Sequence, residues 1–231
     1  MTVFPKFEFD VTLPAALIAI DMQDCGVNPT TGLAKAIERT SPGFTDYLVS
    51  RIRTTVVPSI RALQDAFHSA GQSVVFMAFG SATGDGTDVT TSTIRYRDAA
   101  RRALTGASVI LPRTDPTTDV LDDIPVAEQD IVMTKTTMDS FWSTELDATL
   151  KARGVKTLVI TGVYTDACVE STARSAAELG YQVIVAEDAC AAWRPEFHEA
   201  SLANLERYFA RVESSDWVVK AISASEDSRA S

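Results

Sequence analysis

The segment TLVITGVYTDACVESTARSAAELGYQVIVAED, at residues 157–188, decides the fold predicted for this chain. It opens with an apolar run (157–163), continues through a helical stretch (167–179) that ends at Gly180, and closes with a second apolar run (182–188). Two buried strands joined by a helix form the unit that connects neighbours in a parallel sheet. Because both runs are apolar at nearly every position, we expect helices to cover both faces of the sheet.

The same pattern extends over most of the chain. Further strands are predicted at ALIAIDM (16–22), SVVFMAF (73–79), DIVMTK (130–135) and 211–214. Further helices are predicted at 58–70, 144–153 and 195–210. Six strands alternating with helices predict an α/β fold: a doubly wound, mainly parallel six-stranded sheet in an α/β/α sandwich, with strand order 3-2-1-4-5-6.

The length of 231 residues favours a single domain, which we place at 1–222. The small, polar residues 223–231 predict a disordered tail. Two long polar segments, 24–46 and 80–125, interrupt the alternation of strands and helices. We predict that they are mostly loops, apart from a short basic helix in the second, and that they shape the specificity of a site.

The charge and hydropathy of the chain exclude several kinds of partner. Its formal net charge is -10, which argues against nucleic acid, since phosphate neutralisation requires clustered Lys and Arg. No apolar run is long enough to cross a bilayer, and no secretory signal pattern is present, so no membrane association is expected. The sequence contains one basic cluster, formed by Arg95, Arg97, Arg101 and Arg102. We interpret it as the solvated face of a helix; the alternative is that it binds an anionic substrate.

The cysteines and histidines argue against disulfides and metals. Three widely spaced cysteines predict a reducing compartment and a cytoplasmic location. With two histidines in the chain, a zinc site is hard to assemble, and we predict neither metal nor cofactor. Cys25 and Cys190 are interpreted as structural thiols, and His198 is placed on a surface helix without a catalytic role.

Three chemically reactive side chains follow three of the predicted strands. Asp21 ends the first strand, Lys135 ends the third, and Cys168 lies just past the fourth, where a helix opens. In a doubly wound sheet the carboxyl ends of the strands share one edge, and ligands bind where the strand order reverses. We therefore expect the three side chains to lie together, although each alone has an ordinary structural interpretation as a turn former, a surface lysine or a buried thiol.

The chemistry of these residues is coherent. A helix N-terminus and a nearby lysine favour the thiolate of Cys168, which is the nucleophilic form. Asp21 could accept the thiol proton and pass it to a leaving amine. The N–H groups of the opening helical turn could stabilise a tetrahedral oxyanion.

Three motifs resemble those of the isochorismatase-like cysteine hydrolases. They are AIDMQD (19–24), KTTMDSFWSTELDATLKARGVKTLVITGV (135–163) and GVYTDACVESTARSAAELGYQVIVAEDAC (162–190), and the resemblance runs from 16 to about 212. It implies that Asp21 is the general acid/base, Lys135 the stabilising cation and Cys168 the nucleophile. It also implies a cis peptide bond before Tyr164, an oxyanion hole made by the backbone N–H groups of Tyr164 and Cys168, and a homodimer or homotetramer.

Departures from the family pattern narrow the expected activity. The namesake isochorismatases hydrolyse a vinyl ether and generally lack the cysteine, so Cys168 favours amide chemistry. Nicotinamidases hold a metal through an Asp-x-His motif, whereas no histidine occurs here between His68 and His198. The expectation is a metal-free hydrolase of a small amide or ureide of the N-carbamoyl type. Two alternatives stay open: an enol-ether hydrolase with Asp21 as acid, and an inactive binding member of the fold. Candidate substrate-binding residues are Gln23, Phe141, Trp142, Tyr164 and Trp193.

Overall fold

The computed structural model describes residues 5–230 and folds them around one six-stranded sheet. All neighbouring strands are parallel, and the strand order is β3-β2-β1-β4-β5-β6. The predicted doubly wound α/β fold is therefore confirmed, with its strand order. The strands are β1 (Ala15–Ile20), β2 (Ser73–Phe79), β3 (Ile131–Lys135), β4 (Thr157–Val163), β5 (Gln182–Ala191) and β6 (Arg211–Glu213).

Helices connect the strands and also occupy segments that the sequence predicted as loops. The helices are α1 (Asp24–Val27), α2 (Gly32–Thr40), α3 (Asp46–Arg51), α4 (Val57–Ser69), α5 (Ser92–Thr105), α6 (Leu146–Ala152), α7 (Glu170–Glu178), α8 (Pro195–Tyr208) and α9 (Ser215–Ala230). The prediction that residues 24–46 form a loop was wrong, because α1 and α2 occupy most of this segment. Helix α2 is packed against the rest of the protein through the buried residues Ala34 and Ala36. Among the described residues, no helix combines the length and apolarity needed to cross a bilayer.

Alternate residues of the strands supply two separate hydrophobic cores. Leu17 and Ala19 of β1 pack in one core with residues of α4 and α9. Ile18 and Ile20 point to the opposite face and pack with residues of α6, α7 and α8. Side chains alternate between faces of a strand, so an apolar residue at every position is what two helical layers require. The sheet is thus the middle layer of a sandwich whose strand ends remain open at one edge.

The polar C-terminal segment differs from the expectation of a disordered tail. Residues 223–230 continue α9 as far as Ala230, and residue 231 lies outside the described residues. The hydroxyl of Ser225 lies 2.8 Å from the carbonyl oxygens of both Val11 and Ala221, and its single proton is shared between these two acceptors. A helix can therefore extend through polar residues here because one of them ties it to the N-terminal segment.

Candidate active site

Asp21 and Lys135 meet at the carboxyl edge of the sheet although β2 lies between their strands, both in the chain and in the sheet. Asp21 directly follows β1, and its backbone adopts a φ of 52°, a left-handed conformation that Asp tolerates better than most residues. Lys135 ends β3 opposite Phe79 of β2. Its side chain reaches across β2, so that Nζ lies 2.8 Å from Oδ2 of Asp21.

The ammonium group of Lys135 is fully buried and fully hydrogen-bonded. Besides Asp21, it donates to the carbonyl oxygens of Thr137 at 3.0 Å and Met138 at 3.3 Å. These three acceptors match the three donors of an ammonium group. Burial favours loss of the proton, but the charge of Asp21 and the hydrogen bonds with Asp21 and Cys168 outweigh it and raise the pKa of Lys135. Lys135 therefore remains a cation inside the protein.

Cys168 reaches the same edge through an unusual turn after β4. Gly162 has a φ of 108°, and a Cβ at this position would collide with the carbonyl oxygen of Ile20 in β1. The peptide bond between Val163 and Tyr164 is cis. A short π-helical turn, Thr165–Val169, then carries Cys168 and leads into α7. Glycine thus permits the close approach of β1 and β4 just before the turn that presents the thiol.

The electrostatic balance of the site keeps Cys168 protonated at rest. Burial, followed by the charge of Asp21, raises the pKa of the Cys168 thiol to about 12, and Lys135 offsets only part of this. Lys135 lowers the pKa of Cys168, as the sequence predicted, but burial of the thiol outweighs this effect. Burial likewise raises the pKa of Asp21 against the opposing effect of Lys135.

One oxygen of Asp21 has no hydrogen-bond partner. Oδ2 is paired with Lys135, whereas the buried Oδ1 accepts no hydrogen bond from any described residue. Buried polar atoms are normally satisfied, so an exception calls for an explanation such as a catalytic role. The protonated Cys168 thiol interacts with the same carboxylate, so this oxygen is suited to accept a proton during a reaction.

Two of the predicted substrate-binding residues pack together at this edge of the sheet. The rings of Tyr164 and Trp193 have centroids 4.6 Å apart. The hydroxyl of Tyr164 donates a hydrogen bond of 2.5 Å to the carbonyl oxygen of Gly26. Phe44, whose ring centroid is 6.1 Å from that of Trp193, extends the same aromatic cluster. No periodic pattern in the sequence around Phe44 could have identified it.

The other three predicted substrate-binding residues lie in different surroundings. The side-chain oxygen of Gln23 accepts a hydrogen bond of 2.9 Å from the backbone N–H of Phe79. Its side-chain nitrogen donates to the carbonyl oxygens of Phe79, at 2.9 Å, and of Thr118. Phe141 stacks against Tyr181 with centroids 6.1 Å apart. Trp142 is 82% exposed and borders a cleft of about 700 Å³ that the catalytic candidates do not line. A direct contact of these three with substrate stays a prediction.

The structure corrects the placement of His198. This residue lies on α8, as predicted, but its side chain is buried rather than on the surface. It contacts Thr165 in the turn that carries Cys168, and Arg51 at the end of α3. Both partners are far away in the sequence, so helical periodicity alone could not reveal them.

The remaining cysteines occupy two kinds of environment. Cys190 is buried in β5, with Sγ 3.8 Å from the carbonyl oxygen of Ile160. Cys25 is half-buried in α1, and burial followed by the charge of Asp21 raises the pKa of its thiol to about 12. Within residues 5–230, no group of three or more His, Cys, Asp or Glu side chains is placed to hold a metal ion.

The fold and the site together define a doubly wound α/β protein with a carboxylate, an ammonium group and a thiol at the switch point of its sheet. The chain belongs to the isochorismatase family, because its sequence matches the Isochorismatase domain over residues 15–216. The family expected from the three sequence motifs is therefore confirmed.

Individual relatives agree with this assignment. The chain is 30% identical to the ureidoacrylate amidohydrolase RutB of Stutzerimonas stutzeri (strain A1501) over 210 residues, which are 87% of this chain and 79% of that protein. It is also 30% identical to the protein of the same name from Serratia proteamaculans (strain 568), with 92% of this chain and 89% of that protein covered. Among solved structures, a cysteine hydrolase from Pseudomonas syringae pv. phaseolicola 1448A superposes with a TM-score of 0.77 at 26% identity, covering 97% of this chain and 100% of that one.

Proposed function

We propose that this protein is a cysteine-dependent amidohydrolase that cleaves the C–N bond of a small amide or ureide of the N-carbamoyl type. Family membership and the amidohydrolase names of its full-length relatives support the coarser part, a hydrolase acting on C–N bonds. The observation that carries the finer part is the buried Asp21 Oδ1, which lacks a hydrogen bond beside a protonated Cys168 thiol.

The first half of the reaction forms a thioester. Asp21 takes the proton from Cys168, and the sulfur attacks the carbonyl carbon of the substrate. The backbone N–H groups of Tyr164 and Cys168 stabilise the oxyanion of the tetrahedral intermediate. The intermediate collapses as Asp21 returns the proton to the departing nitrogen, which leaves as ammonia or amine. An acyl- or carbamoyl-enzyme with a bond from sulfur to carbonyl carbon remains.

The second half releases the product by hydrolysis. Asp21 accepts a proton from water, and the hydroxide formed attacks the thioester carbonyl. The carbon–sulfur bond breaks, the proton returns to sulfur, and the acid product leaves. Throughout the cycle Lys135 remains an ammonium group that stabilises the charged forms of Asp21 and Cys168, as its raised pKa requires.

The proposed binding surface for the substrate centres on the aromatic cluster beside the cis peptide bond. Tyr164 and Trp193 pack against each other at 4.6 Å, and Tyr164 is joined to Gly26 in α1. These contacts place an apolar wall next to the turn that carries Cys168. The homodimer or homotetramer and the cytoplasmic location inferred from the sequence stay predictions; light scattering on the purified protein tests the first of them.

The test is ammonia release from a panel of small amides and ureides. The panel contains N-carbamoyl amino acids, biuret, ureidoacrylate, maleamate and nicotinamide. We expect the wild type to release ammonia from one substrate group, and Cys168→Ala to lower kcat at least about 10³-fold, because the nucleophile is lost.

Cys190→Ala is the matched control for this experiment. It also removes one thiol, but from the core rather than from the edge of the sheet. Its folded fraction, measured by circular dichroism, should turn over at nearly the wild-type rate. Substantial ammonia release by Cys168→Ala would contradict the mechanism. Release of no ammonia from any member of the panel by the folded wild type would instead favour the enol-ether hydrolase, in which the cysteine is incidental.

A further inference from the structure

A buried histidine lies directly behind the turn that carries Cys168. His198 is 5% exposed, and both of its ring nitrogens have partners. Nδ1 lies 2.8 Å from Oγ1 of Thr165, and Nε2 lies 3.1 Å from Nη2 of Arg51. Thr165 directly follows Tyr164 and is itself fully buried. The imidazole therefore touches the first residue of the catalytic turn without facing the reacting groups.

The partners of His198 fix its tautomer. A guanidinium group can only donate, so Nε2 must accept the hydrogen bond from Arg51. Burial and the charge of Arg51 lower the pKa of His198 to about 4, so the ring is neutral at neutral pH. The single ring proton is then on Nδ1, which donates to the hydroxyl of Thr165.

Arg51 connects this hydrogen bond to the sheet. Its Nε donates to the carbonyl oxygen of Cys190 at 2.9 Å, and its Nη2 donates to that of Glu187 at 3.0 Å. Both acceptors belong to β5, and Cys190 is paired with Gly162 of β4, three residues before the turn begins. The chain of contacts thus runs from the sheet through Arg51 and His198 to Thr165.

Helix α8 holds the backbone of the turn as well as its side chain. The hydroxyl of Ser201, three residues after His198, lies 2.9 Å from the carbonyl oxygen of Thr165 and shares its single proton between this oxygen and a second acceptor. The same hydroxyl lies 2.5 Å from a carboxylate oxygen of Glu170, the first residue of α7. Thr165 is therefore held at two atoms, from one helix, at the point where the chain leaves the cis peptide bond.

We propose that His198 is a positioning residue that holds the Thr165–Val169 turn in the geometry the reaction needs. The inference rests on the proposed function, because the turn supplies the nucleophile and the Cys168 oxyanion donor of that mechanism and directly follows Tyr164, the other donor. Donors must lie close to the position that the oxyanion will occupy, and a displacement of about 1 Å can cost about 100-fold in rate. His198 acts through Thr165 and never contacts the substrate.

The first test compares His198→Leu with His198→Asn. Leucine removes both hydrogen bonds, whereas the Asn side-chain amide can place a donor near the position of Nδ1. We expect His198→Leu to lower kcat about 10- to 100-fold, with KM changed less than about threefold, and His198→Asn to recover most of the loss. His68→Asn is the matched control: it replaces the other histidine, which pairs with Asp130 before β3, and kcat should not change.

The second test needs no substrate. Alkylation of Cys168 by iodoacetamide, followed on its own peptide by mass spectrometry, reports the surroundings of the thiol. We expect His198→Leu to change this rate about fivefold or more, and His198→Asn to return it toward the wild-type value.

The two tests separate the outcomes. If His198→Leu only lowers the melting temperature, with kcat per folded molecule and Cys168 alkylation unchanged, the positioning role is overturned. If the wild type releases no ammonia from any substrate while alkylation still responds to His198→Leu and is restored by His198→Asn, the proposed function fails and the positioning of Cys168 stands.

Discussion

Two pairs of an acidic and a basic side chain lie at opposite ends of β3. They differ in whether both carboxylate oxygens of the acidic residue accept hydrogen bonds. At the amino end, Asp130 is paired with His68 at 2.6 Å, accepts from Gln64 at 3.1 Å, and accepts a backbone N–H. At the carboxyl end, Asp21 pairs with Lys135 at 2.8 Å, and its Oδ1 makes no hydrogen bond to the described residues. A satisfied pair stabilises the fold, whereas a buried acceptor without a donor costs stability and is available to a reacting proton.

The largest expected difference between the two pairs is in turnover. Asp21→Asn keeps the shape of the side chain but removes the proton acceptor, and we expect kcat to fall by about 10³- to 10⁴-fold. Asp130→Asn makes the same chemical change at the other end of β3 and should leave kcat within about twofold of wild type. Steady-state ammonia release by both variants measures the contrast. Comparable losses in the two would contradict the assignment of the proton-transfer role to Asp21.

The next effect is a shift in the pH profile when the cation is removed. Burial raises the pKa of Asp21, and Lys135 opposes that rise. Asp21 must be ionised to accept the thiol proton, so kcat/KM increases with pH through the pKa of Asp21. In Lys135→Met the opposing charge is gone, the pKa rises further, and the acid limb of kcat/KM moves to higher pH, with kcat lowered about 100-fold.

The control for this profile is Lys156→Met, which replaces an exposed lysine just before β4. Its acid limb should coincide with that of the wild type. An acid limb that stays in place in Lys135→Met would show that Asp21 is not the group that limits activity on the acid side.

The two pairs also show what could be predicted from sequence. Asp21 and Lys135 could be placed because each directly follows an apolar run, and parallel strands bring such ends to one edge. The burial that raises the pKa of Cys168 could not be predicted, since it depends on tertiary packing around the thiol. His198 was misplaced for the same reason: its burial depends on tertiary packing, and its partner Arg51 is 147 positions away in the chain.

Gln23 illustrates a further limit. Its position beside Asp21 made it a candidate for substrate binding, yet its amide joins the ends of β1 and β2 to Thr118, which is 95 positions away. Motif spacing identifies residues that lie near a site, but it does not distinguish a residue that contacts the substrate from one whose side chain is bonded to the surrounding protein backbone. That distinction depends on partners supplied by the long segment between β2 and β3.

The smallest expected effect concerns stability at the amino end of β3. In Asp130→Ala, the side chains of His68 and Gln64 and the backbone N–H of Ala127 lose their acceptor. We expect the free energy of unfolding to fall by about 2 kcal/mol, less than for a fully buried pair because His68 is partly exposed and water can replace some of the contacts. Urea unfolding measures the change, and kcat of the folded protein should be unaffected. A fall in kcat of the folded Asp130→Ala protein would contradict this expectation. It would show that the contacts of Asp130 at one end of β3 affect the reactivity of Asp21 at the other end.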